Sequence, residues 1–208
     1  RRRYWAMVGN GPNRIAAQAI AQMNAAARAK SYLGYSDTGF LLGALYRDGI
    51  GRVAHGPLAG DIRREGGERA VERALDWLKG HVSGIEPGLD ERPAVAFNLT
   101  TLAMLVGTDL APELGGHVVL IEEVAEHLYA VDRMLFHVTQ HLKGIAGLRL
   151  GRISDVPEND RPFGTDEVAI VEDWCARSGI PYLGRADIGH DAANKIVPFG
   201  LEARGPRA

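Results

Sequence analysis

Ser36 stands where a short apolar run, Tyr32-Leu33-Gly34-Tyr35, passes through Ser36-Asp37-Thr38-Gly39 into the helical pattern Phe40–Tyr46. A serine on a sharp strand-to-helix turn exposes its hydroxyl and sets the first helical amides beside whatever that hydroxyl attacks, the logic of a nucleophile elbow. The hydrolase pattern is G-x-S-x-G, and here the second glycine falls one position late. The competing reading is that Ser36 or Asp37 only caps the helix. A nucleophilic serine needs a base, normally a histidine, oriented by an acid. Of the seven histidines, His190 lies in Asp187-Ile188-Gly189-His190-Asp191, a turn-like stretch after a predicted strand, and catalytic residues gather on such loops. Glu122, Glu123 and Glu126 follow the aliphatic run His117–Ile121. Strand ends of α/β proteins collect functional side chains, so one of these acids could orient a histidine; alone, they read as a solvated acidic turn.

Other constellations carry less. His137 and His141 share a helical face, but Val138, Thr139 and Gln140 between them leave out the glutamate of HExxH, and no metal site is expected. Gly9-Asn10-Gly11 could present backbone N–H groups to an anion, yet it matches neither G-x-G-x-x-G nor the P-loop. Asn98-Leu99-Thr100 fits the glycosylation sequon and is read as chance.

The elements that must position these residues alternate short apolar runs with helical periods, which predicts an α/β architecture. Expected strands are Tyr4–Val8, the run at Tyr32–Tyr35, Ala94–Phe97, His117–Ile121, Leu148–Ile153 and Ile180–Leu183. Expected helices cover residues 14–29, 40–46, one amphipathic helix within 59–92 with Ala70, Val71, Ala74, Leu75 and Leu78 on its apolar face, 99–106, 131–142, and one capped by Thr165 and ending at Gly179. Gly84–Pro93 reads as a linker, which divides the chain into residues 1–58, a connector 59–93 and a second domain 94–208. The 208 residues carry 24 Lys+Arg against 26 Asp+Glu, a formal charge of −2, which argues against a dedicated nucleic-acid binder. With 46% hydrophobic and 24% charged residues the composition is that of a folded protein, not a disordered one. The single cysteine, Cys175, excludes an internal disulfide framework and suits a reducing compartment. The charge-free run Pro93–Thr108 is too short and polar for a membrane span. Glycine, at 26 residues, exceeds the usual share of about 7% and implies many tight turns.

Taken in order, the blocks resemble the LD-carboxypeptidases, serine peptidases of the muramoyltetrapeptide carboxypeptidase and microcin-immunity type. Gly34-Tyr35-Ser36-Asp37 is similar to the family's nucleophile block, and His55-Gly56-Pro57 to the block that follows it. Asn98-Leu99 with Gly107-Thr108 resembles the G-G-N-L…G-T block, and Glu122–Glu126 with Tyr129 and Val131–Leu135 the acid block. Gly189-His190 with Asn194, Pro198 and Gly200 resembles the histidine block. The resemblance implies Ser36 as nucleophile, His190 as base and Glu122 as the acid orienting it, with Glu123 and Glu126 as neighbours. It implies an oxyanion site at the N–H of Asp37 and the Gly9 turn, and a substrate contact at Asn98. The implied reaction releases terminal D-alanine from murein tetrapeptides through an acyl-enzyme, without metal or cofactor, in the cytoplasm, by a homodimer with no nucleic-acid or membrane partner. The implied architecture is a partial flavodoxin-like N-terminal domain followed by a smaller α/β domain, the chain being expected to start inside the former. Two departures stand out: Met7-Val8-Gly9-Asn10-Gly11 replaces R-G-G-Y-G, and Ala96-Phe97-Asn98 replaces G-G-N. The alternatives are an amidase acting on acyl-nucleotide amides and a non-catalytic homologue that binds murein peptide.

Overall fold

The computed structural model describes residues 16–201. Strand β1 (Ser31–Gly34) and strand β2 (Arg52–His55) pair in parallel, with Ser31 opposite Arg52 and Gly34 opposite His55, and helix α3 (Thr38–Arg47) connects them. It follows two short helices, α1 (Ala16–Ala21) and α2 (Ala25–Arg28). A 3-10 turn over Ala59–Arg63 and helix α4 (Gly67–Lys79) lead to a second, four-stranded sheet. That sheet is parallel throughout, in the order β3 (Ala94–Asn98), β4 (Val118–Val124), β5 (Gly147–Ser154), β6 (Tyr182–Arg185), with α5 (Leu99–Leu105), α6 (Leu128–His141) and α7 (Glu167–Ser178) between successive strands. Parallel strands covered on both faces read as continuous apolar runs, and Val118 to Ile121 are all buried.

The segment after His190 ties the two sheets together. Ile196 exchanges backbone bonds with the connector, donating to Gly84 O at 3.0 Å and accepting from Glu86 N at 2.9 Å. Strand β7 (Val197–Pro198) then adds antiparallel to β2, with His55 opposite Val197. Gly200 bonds Ala94 at the start of β3, at 2.8 and 3.2 Å. Phe199 packs its ring against Phe97 and Tyr46, with centroids 5.3 and 5.5 Å apart. One apolar cluster therefore runs from Ile20 and the buried length of α3 through Phe97 and Phe199 to Val171 and Cys175 of α7.

The α/β expectation is borne out, and most elements lie where the periodicity placed them. The helix expected over 14–29 is instead two short ones, because Asn24 adopts extended backbone and its Oδ1 accepts from Ala27 N, capping α2 afresh. Strands β2 and β7 were not foreseen. On α4, Trp77 joins Ala70, Ala74 and Leu78 in the core while Leu75 is 40% exposed. Asp166 rather than Thr165 caps α7, accepting from Ala169 N at 2.9 Å. The strand expected at Tyr4–Val8 lies outside the described residues. Among the described residues, no helix is long and apolar enough to cross a membrane.

Candidate active site

Ser36 has φ +57°, left-handed backbone that a β-carbon normally avoids at a cost of roughly 1–3 kcal/mol. A strand turning directly into a helix demands that conformation, and it leaves Ser36 half-buried at the carboxyl end of β1. The turn is tight enough that a Cβ on Gly34 would come within 2.6 Å of Thr38 Cγ2. Thr38 thus occupies the place of the second glycine in G-x-S-x-G, and Gly34 makes room for it. The displaced Gly39 serves another contact: a Cβ there would meet Thr101 Cγ2 at 2.9 Å and Phe97 Cδ1 at 3.2 Å, so it lets α3 settle on β3 and α5. Asp37, at the helix start, makes no side-chain capping bond. Its N–H has no acceptor among the described residues, which leaves it available to an anion. Gly9, expected to share that role, lies outside the described residues.

Glu122 and His190 come together. Glu122 Oε2 lies 2.5 Å from His190 Nδ1. Glu122 is fully buried, whereas the His190 side chain is 10% exposed. Burial pushes the Glu122 carboxyl above its ordinary value, and the hydrogen bond from His190 opposes that rise. With the carboxylate accepting from Nδ1–H, Nε2 of His190 carries the free lone pair, as a general base requires. Tyr35, the residue before Ser36, sets its ring against His190 with centroids 4.8 Å apart and planes 70° apart. The turn bearing Ser36 and the loop bearing His190 are therefore in contact.

Glu123 has a different set of partners, at a point where the β4–β5 register shifts. Its carboxylate accepts from Asn98 Nδ2 at 2.6 Å, from Thr100 N and Oγ1 at 2.7 Å, and from its neighbour's Val124 N at 2.9 Å. It braces the start of α5, and its charge adds to the rise of the Glu122 carboxyl. Asn98 Oδ1 accepts from Thr101 N at 3.0 Å. Both ends of the Asn98 amide are thus engaged inside the fold, and the residue is buried. Glu126 belongs to neither arrangement. His137 and His141 stand with ring centroids 4.7 Å apart on exposed positions of α6.

Several residues that spacing does not single out hold the His190 loop. Arg152, at the end of β5, pairs with Asp187 at 2.6 Å and clasps Asp191 with two nitrogens. Arg73 of α4 donates to the carbonyls of Ala192 and Asn194. Asn194 Oδ1 accepts from Gly189 N at 3.2 Å, and the buried Glu86 from Asp187 N at 3.2 Å. Asp187 and Asp191 stand close to His190 in the sequence, but their partner Arg152 lies on β5, 35 and 39 residues away, where spacing gives no hint. His55, buried beside this loop, has its pKa pushed down to about 3, by burial first and then by the nearby His190. It stays neutral and puts no cation beside the base.

Glu122→Gln is expected to lower turnover about 10⁴-fold, because an amide facing Nδ1 favours the tautomer that protonates Nε2. Stability should not fall at pH 7, since the change removes a buried charge. As the carboxyl is raised in the fold, the folded wild type binds more protons than the unfolded chain between the ordinary value of 4.5 and the raised one. Wild-type stability relative to the variant should therefore decline as pH rises through that window. Denaturant midpoints across pH check this; a variant less stable at every pH would contradict it.

A family model described as the LD-carboxypeptidase C-terminal domain matches residues 93–204. A protein of Synechocystis sp. named as a carboxypeptidase is 30% identical over 88% of this chain and 62% of its own length. The murein tetrapeptide carboxypeptidase of Pseudomonas aeruginosa is 27% identical over 86% of this chain and 63% of its own. The crystal structure of muramoyltetrapeptide carboxypeptidase from Oxalobacter formigenes superposes with a TM-score of 0.68 at 25% identity, covering 82% of this chain and 63% of that one. The microcin C7 self immunity protein shares the fold, with a TM-score of 0.65 at 18% identity over 82% of this chain and 62% of that one. The chain thus spans just under two thirds of the length of the relatives it matches.

Proposed function

We propose, from the premise that this chain belongs to the LD-carboxypeptidase family, that it is a serine-type carboxypeptidase cleaving the L,D-amide bond that releases terminal D-alanine from murein tetrapeptides. The observation that carries the reading is the buried Glu122–His190 pair, whose histidine packs on the residue preceding a left-handed Ser36. In this reading Ser36 Oγ attacks the scissile carbonyl while His190 Nε2 takes its proton, and Glu122 stabilises the resulting imidazolium. The oxyanion is met by the Asp37 N–H, with Gly9 as the expected second donor. Collapse breaks the C–N bond, and His190 returns the proton to the departing D-alanine amine. Water, activated by the same imidazole, then frees the acyl group from Ser36. The base loop arrives pre-set by Arg152 and Arg73, which spares the site reorganisation during the reaction. Family membership further leads us to propose a cytoplasmic homodimer acting on murein peptides.

The test is direct. The purified chain is incubated with an L,D-tetrapeptide, and free D-alanine is measured beside a parallel incubation with an acyl-nucleotide amide. Release of D-alanine is expected. Cleavage of the nucleotide amide alone would replace the substrate assignment, and binding without release would replace the enzymatic one.

A further inference from the structure

Asp61 is a buried carboxylate that the mechanism above does not use. It sits on the 3-10 turn and accepts three hydrogen bonds. The Tyr35 phenol donates to Oδ1 at 2.8 Å, Arg64 Nε to the same oxygen at 2.9 Å, and the Leu58 N–H to Oδ2 at 2.8 Å. Arg64 also reaches the phenol oxygen at 3.4 Å. Burial, reinforced by the Asp61 bond, drives the Tyr35 pKa far above its ordinary value, so the phenol remains a neutral donor.

Tyr35 is thereby fixed at three points. Its backbone adjoins Ser36, its hydroxyl is tied to Asp61, and its ring lies across His190 at 4.8 Å and His55 at 6.1 Å. A histidine held only by an Nδ1–H bond can still tilt about that bond, and the tilt swings Nε2 away from its target. A rigid ring against the imidazole removes this freedom, and the ring is only as rigid as its far end.

We propose that Asp61 is a positioning residue for hydrolysis: through the Tyr35 phenol it holds the aromatic wall that keeps the His190 imidazole aimed at Ser36. This rests on the hydrolase reading of the site. Misplacement of a reacting group by about 1 Å costs on the order of 10²-fold, so a partial loosening predicts about a tenfold loss of kcat in Tyr35→Phe and in Asp61→Ala, with KM within about twofold. If Asp61 acts through the phenol, the two losses do not add, and the double variant is no slower than the slower single one. Asp61→Asn, which keeps an acceptor for the phenol, is expected to recover to within about threefold of wild type.

A second readout needs no substrate. The Nδ1–H held between His190 and Glu122 gives a far-downfield proton NMR signal, expected to shift or broaden in Tyr35→Phe and Asp61→Ala and to persist in Asp61→Asn. Tyr35→Phe preserves the ring volume and so keeps the test open should Asp61→Ala fail to fold. Additive losses, a change in KM alone, or an unaltered signal in Tyr35→Phe would overturn the proposal. A wild type that cleaves neither the peptide nor the acyl-nucleotide amide would sink the hydrolase reading, while the NMR comparison would still decide whether Asp61 governs the His190 geometry.

Discussion

Ser36→Ala is expected to abolish D-alanine release, a loss of about 10⁶-fold in kcat, while leaving the protein folded and its peptide affinity near that of the wild type. The substitution removes one half-buried oxygen and nothing that the fold depends on. Alanine accepts the φ of +57° about as poorly as serine does, so the strain of the turn is unchanged. The start of α3 loses no cap either, because the capping position belongs to Asp37 and carries no side-chain bond. Activity and stability should therefore separate cleanly, with turnover gone and the thermal midpoint within error. Equal turnover by variant and wild type would remove Ser36 from the mechanism.

His190→Ala should be about as damaging to turnover, since nucleophile and base act as a unit, and combining it with Ser36→Ala should add almost nothing. Its effect on stability should be unlike that of Ser36→Ala. Glu122 Oε1 has no partner among the described residues, so removing the imidazole leaves both oxygens of a buried carboxylate unsatisfied. Such an orphan costs roughly 1–3 kcal/mol. The carboxyl escapes the penalty by taking up a proton: already raised by burial, its pKa rises further once the histidine that lowered it is gone. The variant should match the wild type in acid, near and below the ordinary value of 4.5, and lose stability as pH rises through the window above it. Chemical denaturation at several pH values, with the Ser36→Ala protein as control, measures this. Near-normal turnover would contradict the base assignment, and a pH-independent loss of stability would contradict the account of Glu122.

The α/β architecture was legible in the sequence, and what spacing left open was which neighbours meet in the candidate site. Ser36 drew notice because an apolar run met a helical period with no room for a loop, although the same turn reads as a helix cap. The turn at His190 was one candidate among seven histidines, and Glu122 was picked out from Glu123 and Glu126 only by the resemblance to the LD-carboxypeptidases. Neighbours were harder to separate: Glu122 and Glu123 are adjacent buried acids, and only tertiary contacts, at a shift of register that spacing does not foretell, bring one to His190 and the other to the start of α5. Thr165 and Asp166 are both able caps, and the extended backbone at Asp166, φ −99° and ψ 171°, decides between them. Strand β2 shows almost no period of its own in Arg52-Val53-Ala54-His55, and β7 is two residues long. Both exist because β1 and the returning chain offer them hydrogen bonds. Arg73, Arg152 and Asp61 escaped for a related reason, since each acts on a partner far away in sequence, where spacing holds no information.

The stretch from His190 to Gly200 has a consequence for how the chain assembles. Ser36 leaves the ribosome well before His190, the proposed base, and β7, the strand that adds to β2, which are encoded within a few residues of one another. At roughly 5–20 residues per second, the turn waits on the order of ten seconds or more before either arrives. During that interval the serine turn has neither the His190 loop against Tyr35 nor β7 beside β2. The antiparallel addition of β7 to β2 and the arrival of His190 beside Tyr35 then come in one docking event, so on the proposed mechanism the nascent chain gains its base only as this part of the core forms.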